Sequence, residues 1–330
     1  MWLAVLPVAA GTPGQMKEQR EKTGKTSGIS LWKYFGKKPH AYMYAYFADE
    51  SEGLRFCYSY DGLKWRPLGT ADGSGVFLKP QAGESKLMRD PSICQGPDGT
   101  FHMVWTCGWT ESGIGYASSE DLVNWSEQRT LPVMDSEPTA RNCWAPEIFC
   151  DGRQFYIVWA STIPDRFAEW GSCEDGYNHR LFYTTTRDFE TFSPTEVFYD
   201  PGFSVIDGFV LKQSGTYYLF MKNETLSPEE KNIRVAAGRH LKHLPDEVSE
   251  PISGKDWAEG PAALKVGKYT YLYWDKYKNG RVGALRTRNL KKGPWEDVSG
   301  MTTFPAGLRH GTPFPVPMDL LRDLLKQAEE

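Results

Sequence analysis

No stretch of this chain approaches the roughly 18 consecutive apolar residues that a membrane-spanning helix needs, which excludes a helical membrane span. Basic clusters are missing as well. With 38 Lys and Arg against 42 Asp and Glu, the net charge is −4, and nothing in that balance suits nucleic acid as a partner. Cysteine is scarce and scattered: Cys57, Cys94, Cys107, Cys143, Cys150 and Cys173 share no CxxC step and have no histidines at zinc intervals. No metal site is expected from them. They read as buried free thiols, which sits poorly with a strongly oxidising compartment unless one pair is bridged.

What the chain does have is aromatics and chain-turning residues. Twelve Trp, 17 Tyr and 17 Phe stand beside 32 Gly and 22 Pro, a mixture that predicts many short strands and turns over long helices. The N-terminus MWLAVLPVAAG is apolar for about ten residues and ends in small ones, as the tail of a secretory signal would, but it lacks the basic segment such signals begin with. A start-site artefact or a disordered end is the alternative. Residues 1–38 are therefore read as a signal remnant and flexible segment, and 39–330 as a single folded domain. The corresponding location is secreted or periplasmic, with the cytoplasm as the alternative.

A repeat decides the architecture. Four stretches share a polar or acidic head, a strand, a turn and an aromatic strand: RDPSICQGPDGTFHMVW, WAPEIFCDGRQFYIVW, VIDGFVLKQSGTYYLFM and WAEGPAALKVGKYTYLYW. Their acidic heads, Asp90, Glu147, Asp207 and Glu259, lie 57, 60 and 52 residues apart (147−90, 207−147, 259−207). Third strands then end in similar turns, SYDGLKW, SEDLVNW and TRDFETF, with GRHLKHL as a weaker copy. Four strands at a period of about 50 residues are the mark of propeller blades. The N-terminal stretch HAYMYAYFADESEGLRFCYSYDGLKW lacks a first strand, and RHGTPFPVP, 309–317, supplies one at the other terminus. The expected fold is an all-β, five-bladed propeller whose ring is closed by the C-terminal strand joining the N-terminal blade, followed by a short amphipathic helix bearing Leu320, Leu321, Leu324 and Leu325. Two stacked β-sandwich domains would share the strand content but not the regular spacing of the heads.

First strands line a propeller's axis and start on one face, so Asp90, Glu147, Asp207, Glu259 and His310 are expected around one funnel. The connections 106–113, 161–178, 223–231 and 276–280 return to that face as its walls. Several carboxylates in one pocket raise one another's pKa. That is the condition glycoside hydrolysis exploits, since one carboxyl must hold a proton while another stays ionised. Glu259, between Trp257 and Pro261, is the expected proton donor, kept protonated by partial desolvation and a neighbouring carboxylate. Trp144 and Trp257, beside the heads, are candidates to stack on a sugar ring. Trp105, Trp159 and Trp274 read as packing. The long 161–178 connection should wall off one side and bring Trp170 or Arg166 near a substrate, or else serve as an oligomer contact.

The ordered set RDPSI, WAPE, VID, EGP and a late RHG resembles the five-bladed propeller glycosidases of glycoside hydrolase family 43 over residues 40–317. The resemblance implies Asp90 as general base, Asp207 as the group that tunes and orients the acid, and Glu259 as general acid. It also implies an axial His310, with a cation or water near it, and no required cofactor. Glu147, Arg309, His310, Trp144 and Trp257 are then the expected substrate-binding residues. It further implies an inverting single displacement on a terminal arabinofuranoside or xyloside of a plant-type glycan, with the two reacting carboxyls about 6.5–9.5 Å apart. Two departures stand out: Gly208, in place of proline, follows Asp207, and WAPE replaces WAPD. His310 as the acid, or a non-catalytic carbohydrate-binding propeller, are the competing readings, since fold does not fix function.

Overall fold

A computed structural model of the protein describes residues 39–329 apart from residue 169. The expected signal remnant and flexible segment, 1–38, lie outside the described residues. The first blade contains β1 (Pro39–Tyr46), β2 (Arg55–Ser59) and β3 (Arg66–Pro67). The second runs through β4 (Arg89–Gln95), β5 (Phe101–Thr106), β6 (Ile114–Ser119) and β7 (Arg129–Leu131). The third is β8 (Trp144–Asp151), β9 (Gln154–Ser161), β10 (Arg180–Thr186) and β11 (Glu196–Tyr199). The fourth has β12 (Val205–Gln213), β13 (Thr216–Asn223) and β14 (Asn232–Gly238), and the fifth β15 (Glu259–Val266), β16 (Tyr269–Lys276), β17 (Arg281–Thr287) and β18 (Glu296–Asp297). Finally β19 (Gly311–Pro317) pairs antiparallel with β1, Met43 opposite Phe314 and Tyr46 opposite Gly311, and so completes the first blade. The ring closes by the C-terminal strand, as the repeat count predicts.

Five apolar clusters weld the five blade-to-blade contacts. Tyr44 and Tyr46 of β1 pack with Leu264, Tyr271 and Tyr273 of the fifth blade, and Met43 and Phe314 of the first blade with Ile93 and Trp105 of the second. Each large apolar side chain so withdrawn from water contributes roughly 1.5–3 kcal/mol. Trp105, Trp159 and Trp274, each in the second strand of its blade, are fully or almost fully buried and belong to this packing. The indole of Trp105 lies across Gly115 on β6, where a Cβ would fall 2.1 Å from the ring, so a larger residue there would displace the tryptophan. The helix α1 (Met318–Gln327) buries Leu320, Leu321 and Leu324 against the first-blade cluster, with Leu325 at its margin.

Turns on the face away from the strand starts are built alike. In SEDLVNW, Leu122 N–H donates to Ser119 Oγ at 2.8 Å, and the amides of Val123 and Asn124 to Asp121 Oδ1 at 2.9 and 2.7 Å. SYDGLKW and TRDFETF repeat this with Ser59 and Asp61 and with Thr186 and Asp188. A partial fourth copy is not GRHLKHL, whose blade has three strands, but 287–292 of the fifth blade, where Asn289 replaces the aspartate and accepts the amides of Lys291 and Lys292. Cys57, Cys107 and Cys143 are buried free thiols, and Cys94 and Cys150 partly exposed ones. Among the described residues no helix is long and apolar enough to cross a membrane.

Candidate active site

Each of the first strands β4, β8, β12 and β15 carries a bulge near its start. The register with the second strand slips between Arg89 and Ser92, Trp144 and Glu147, Ile206 and Phe209, and Glu259 and Ala262. One residue inside each bulge has positive φ: Asp90 (52°), Ala145 (46°), Asp207 (56°) and Gly260 (59°). Non-glycine residues in this region cost about 1–3 kcal/mol each and persist where the surroundings hold them. The bulge turns that residue toward the axis at the mouth of the ring.

These bulge residues, not the acidic residues as such, are the structural repeat. They stand 55, 62 and 53 residues apart (145−90, 207−145, 260−207). Against that frame Glu147 is two positions deeper than Asp90, and Glu259 one position nearer the mouth. The expectation that all four acidic heads share one funnel is therefore corrected for Glu147. It lies beneath the main cavity on a separate void of about 10 Å3, accepting a 2.6 Å hydrogen bond from Ser92 Oγ, which holds the same position in the blade before. Burial, only partly offset by the Ser92 bond and by His310, pushes its carboxyl up to about 8.

The main cavity, about 380 Å3, is lined by all five blades and contains Asp90, Asp207, Glu259, Arg309 and His310. Asp90 accepts from Thr106 Oγ1 at 2.8 Å and faces His310 Nδ1 at 3.2 Å. Burial works against its charge, but the His310 bond and charge, Arg89 and Thr106 prevail and hold it at about 2. His310 is likewise buried, yet Asp207, Asp90 and Glu259 raise it to about 9, so the ring is an imidazolium at neutral pH. Burial, opposed by His310 and Lys222 and aided by Glu259 and Asp90, lifts Asp207 to about 6. Asp207 Oδ2 accepts the Gly260 N–H at 2.8 Å. Any Cβ on Gly260 would lie 2.4 Å from the His310 ring, so this close approach, together with φ of 59°, requires glycine.

Glu259 departs from expectation. Desolvation pushes its pKa up, but Lys222 and Arg309 outweigh it and hold the carboxyl below its ordinary value. Oε2 lies 3.2 Å from Lys222 Nζ and Oε1 3.0 Å from Arg309 Nη2. The sequence offers Trp257 and Pro261 as neighbours and hides the two cations. Trp257 itself is not among the cavity's lining residues; Lys278 lies over its ring at 4.6 Å, and the neighbouring Tyr277 faces the cavity in its place. Arg309 is spent on carboxylates, Glu259 and, through Nε at 2.5 Å, Asp275.

Trp144 lines the cavity, its indole N–H donated to the Trp109 carbonyl at 2.8 Å and its ring against Tyr177 and His179. Exposed Trp109 forms the rim, with Arg89 over its ring at 4.4 Å. The 161–178 connection walls one side: Ser172 pairs with Ser227 of the neighbouring blade's loop, and Arg141 clasps the carbonyls of Asp175 and Gly176. It brings Glu174 and Tyr177 to the cavity, whereas Trp170 is exposed outside it and Arg166 pairs with Glu137.

Sequence reasoning missed Lys222, Glu224, Asp275 and Tyr277. A signal was available: Thr106, Ala160, Lys222 and Asp275 all end a second strand opposite a bulge, in register with Arg89, Trp144, Ile206 and Glu259. Of this second column, Thr106 and Lys222 line the cavity and Asp275 meets it through Arg309, while Ala160 is buried in the apolar core.

The chain is similar to known proteins in sequence and in fold. A curated α-L-arabinofuranosidase of Bifidobacterium longum subsp. longum is 29% identical over 200 residues, covering 50% of this chain but only 18% of that protein. A thermostable family-43 glycoside hydrolase superposes with a TM-score of 0.51 at 17% identity, covering 64% of this chain and 72% of that one, a likeness of fold. The xyloglucan-locus GH43B of Bacteroides ovatus gives 0.48 at 20% identity, over 64% of this chain and 40% of its own. The model of the glycosyl hydrolase 43-related family, described as a probable glycosyl hydrolase domain, matches residues 38–319. With most of its length matched, the chain belongs to the glycosyl hydrolase 43-related family.

Proposed function

We propose that this chain is an inverting glycosidase that removes terminal arabinofuranosyl or xylosyl residues from a plant-type glycan. The single observation that carries the reading is the division of labour among three carboxylates from three blades around one cavity. Asp90 is held ionised near 2, Asp207 is lifted to about 6, and Glu259 sits between two cations. Asp90 takes a proton from the water that attacks the anomeric carbon. Glu259 gives one to the departing oxygen, and Asp207, between them electrostatically, tunes that exchange. The imidazolium of His310 fixes Asp90 Oδ1 and helps keep Asp90 a carboxylate at neutral pH.

Size and wall favour release of single terminal sugars. A cavity of about 380 Å3, closed on one side by the 161–178 connection and rimmed by Trp109 and Trp144, suits one or two sugar rings more than a chain lying across it. The matching arabinofuranosidase supports the pentose reading. The test is hydrolysis of aryl α-L-arabinofuranoside, β-D-xyloside, galactoside and fucoside, with arabinan and arabinoxylan. Asp90→Asn and Glu259→Gln should each lose at least about 10²–10⁴ of the rate on the one sugar that wild type cleaves. Full activity in both variants contradicts the assignment, and binding of these glycans without cleavage moves the carbohydrate-binding reading ahead.

A further inference from the structure

Both cations on Glu259 are shared with a second carboxylate. Lys222, 2% exposed through its side chain, lies 3.2 Å from Glu259 Oε2 and 2.6 Å from Glu224 Oε2. Arg309 bridges Glu259 Oε1 and Asp275. The two arrangements are not alike. Arg309 holds its partners through two different nitrogens of a rigid fork and serves both at once. Lys222 is a single ammonium on a flexible stem, already nearer to Glu224. Glu224 is buried at the cavity wall and anchored from its other oxygen by Lys231, whose side chain is fully buried, at 2.6 Å. Glu174 of the walling connection approaches Lys231 at 3.9 Å, so Glu224 has a built seat independent of Lys222.

A proton donor needs a free oxygen. Glu259 Oε1 is pinned by Arg309, so the proton must ride on Oε2, the atom that Lys222 now occupies. We propose that Lys222 is a shuttling counter-cation: as the sugar fills the cavity it withdraws from Glu259 Oε2 to Glu224, freeing Oε2 to hold the proton delivered to the leaving oxygen. This rests on the reading of Glu259 as the acid, and makes Glu224 a positioning residue. The cycle balances. Glu259 loses its proton to the departing oxygen, the attacking water loses one to Asp90, and solvent returns the first and accepts the second. Lys222 stays charged throughout; burial opposes its charge, but Glu259, Glu224 and Asp207 around it prevail. Withdrawal as Glu259 takes up its proton, and return once Glu259 is negative again, each bring the ammonium toward the more negative carboxylate.

Other charged and titratable groups facing this pair are Asp207 from β12, Asp90 from β4, His310 and Arg309 ahead of β19, and Tyr277 after β16, its ring 4.6 Å from Lys222 Nζ. Asp90 is bonded to Thr106 and His310 and Asp207 Oδ2 to Gly260 N–H, and neither aspartate lies at ion-pair distance from Lys222. Glu224 is the only carboxylate at ion-pair distance from Lys222 besides Glu259 among the described residues.

The experiment compares wild type with Glu224→Gln and Lys222→Met on 4-nitrophenyl α-L-arabinofuranoside and β-D-xyloside across pH. The Glu259 carboxyl is also followed directly by infrared titration of the full chain, its band assigned by difference from Glu259→Gln. Glu224→Gln gives Lys222 wholly to Glu259. The alkaline limb of kcat/KM and the infrared midpoint should both fall, by about one pH unit, a tenfold loss of the protonated acid. Lys222→Met should move both upward. A purely structural role would lower kcat or the melting temperature without opposite displacements. Midpoints that stay in place, or move together in the two variants, overturn the shuttle. Wild-type activity in Glu259→Gln instead overturns the acid assignment beneath it, and the infrared midpoints are read without any turnover.

Discussion

Aspartates serve the two faces of this propeller in opposite ways. On the face away from the cavity, Asp61, Asp121 and Asp188 recur in the same turn, their carboxylates filled by amide N–H groups two and three residues on. At the cavity, Asp90 and Asp207 recur in the same bulge, at positive φ, and their partners are a threonine hydroxyl, an imidazolium and one amide of the next blade. The outer carboxylates are satisfied within their own turns. Those on the axis reach a neighbouring strand and other blades, and the charges around them set their protonation. One residue type, repeated with one period, thus builds turns where its partners are local and supports chemistry where they are distant.

Two substitutions separate the roles of the axial and the turn aspartates. Asp207→Asn keeps an acceptor for Gly260 N–H but removes the charge, and should lower kcat by about 10²–10⁴ while leaving the melting temperature close to wild type. Asp121→Ala removes the acceptor for two backbone amides, the Asn124 side-chain amide and the Ser119 hydroxyl. It should cost about 1–3 kcal/mol of stability with kcat unchanged. Calorimetry and kinetics on both proteins decide the matter; a loss of kcat in the turn variant, or none in the axial one, removes the distinction.

A smaller effect sharpens it further. Glu147 belongs to the axial bulges by sequence but not to the main cavity, and its carboxyl is raised from 4.5 to about 8. A carboxyl raised on folding weakens the native state as pH climbs from the unfolded value through the folded one, because the unfolded chain releases that proton first. Glu147→Gln should therefore melt several degrees above wild type at pH 8–9 and show no advantage below about pH 4. His310 contributes in the same window, since a histidine raised to about 9 stabilises fully below 6.5 and is lost as pH passes 9. Melting curves of the two proteins from pH 4 to 10 check the sign; an advantage confined to acid pH would place Glu147 wrongly.

Much of this was legible in the sequence, for physical reasons. Blade repeats reveal themselves because each blade must bury the same faces, so Trp105, Trp159 and Trp274 recur and β19 could be paired with the N-terminal strands. Asp90, Asp207, Glu259 and His310 could be gathered on one axis because the topology leaves first strands no other place. What stayed hidden was offset and company. Counting acidic residues as equivalent placed Glu147 in the funnel, though the bulge makes Ala145 the partner of Asp90. Local neighbours suggested an apolar setting for Glu259, while its real partners, Lys222 and Arg309, lie 37 and 50 residues away in sequence. Side chains across blades set a pKa, and their spacing leaves no local pattern.

In the proposed reaction Asp90 and Glu259 act in one displacement. Its most direct test is proton NMR of the sugar in the first minutes of cleavage of the active aryl glycoside, before mutarotation. The anomer first formed should be inverted relative to the substrate, with the signal absent in Asp90→Asn. A first product of retained configuration would contradict it, since that outcome requires a covalent intermediate on one of these carboxylates and no water held by Asp90.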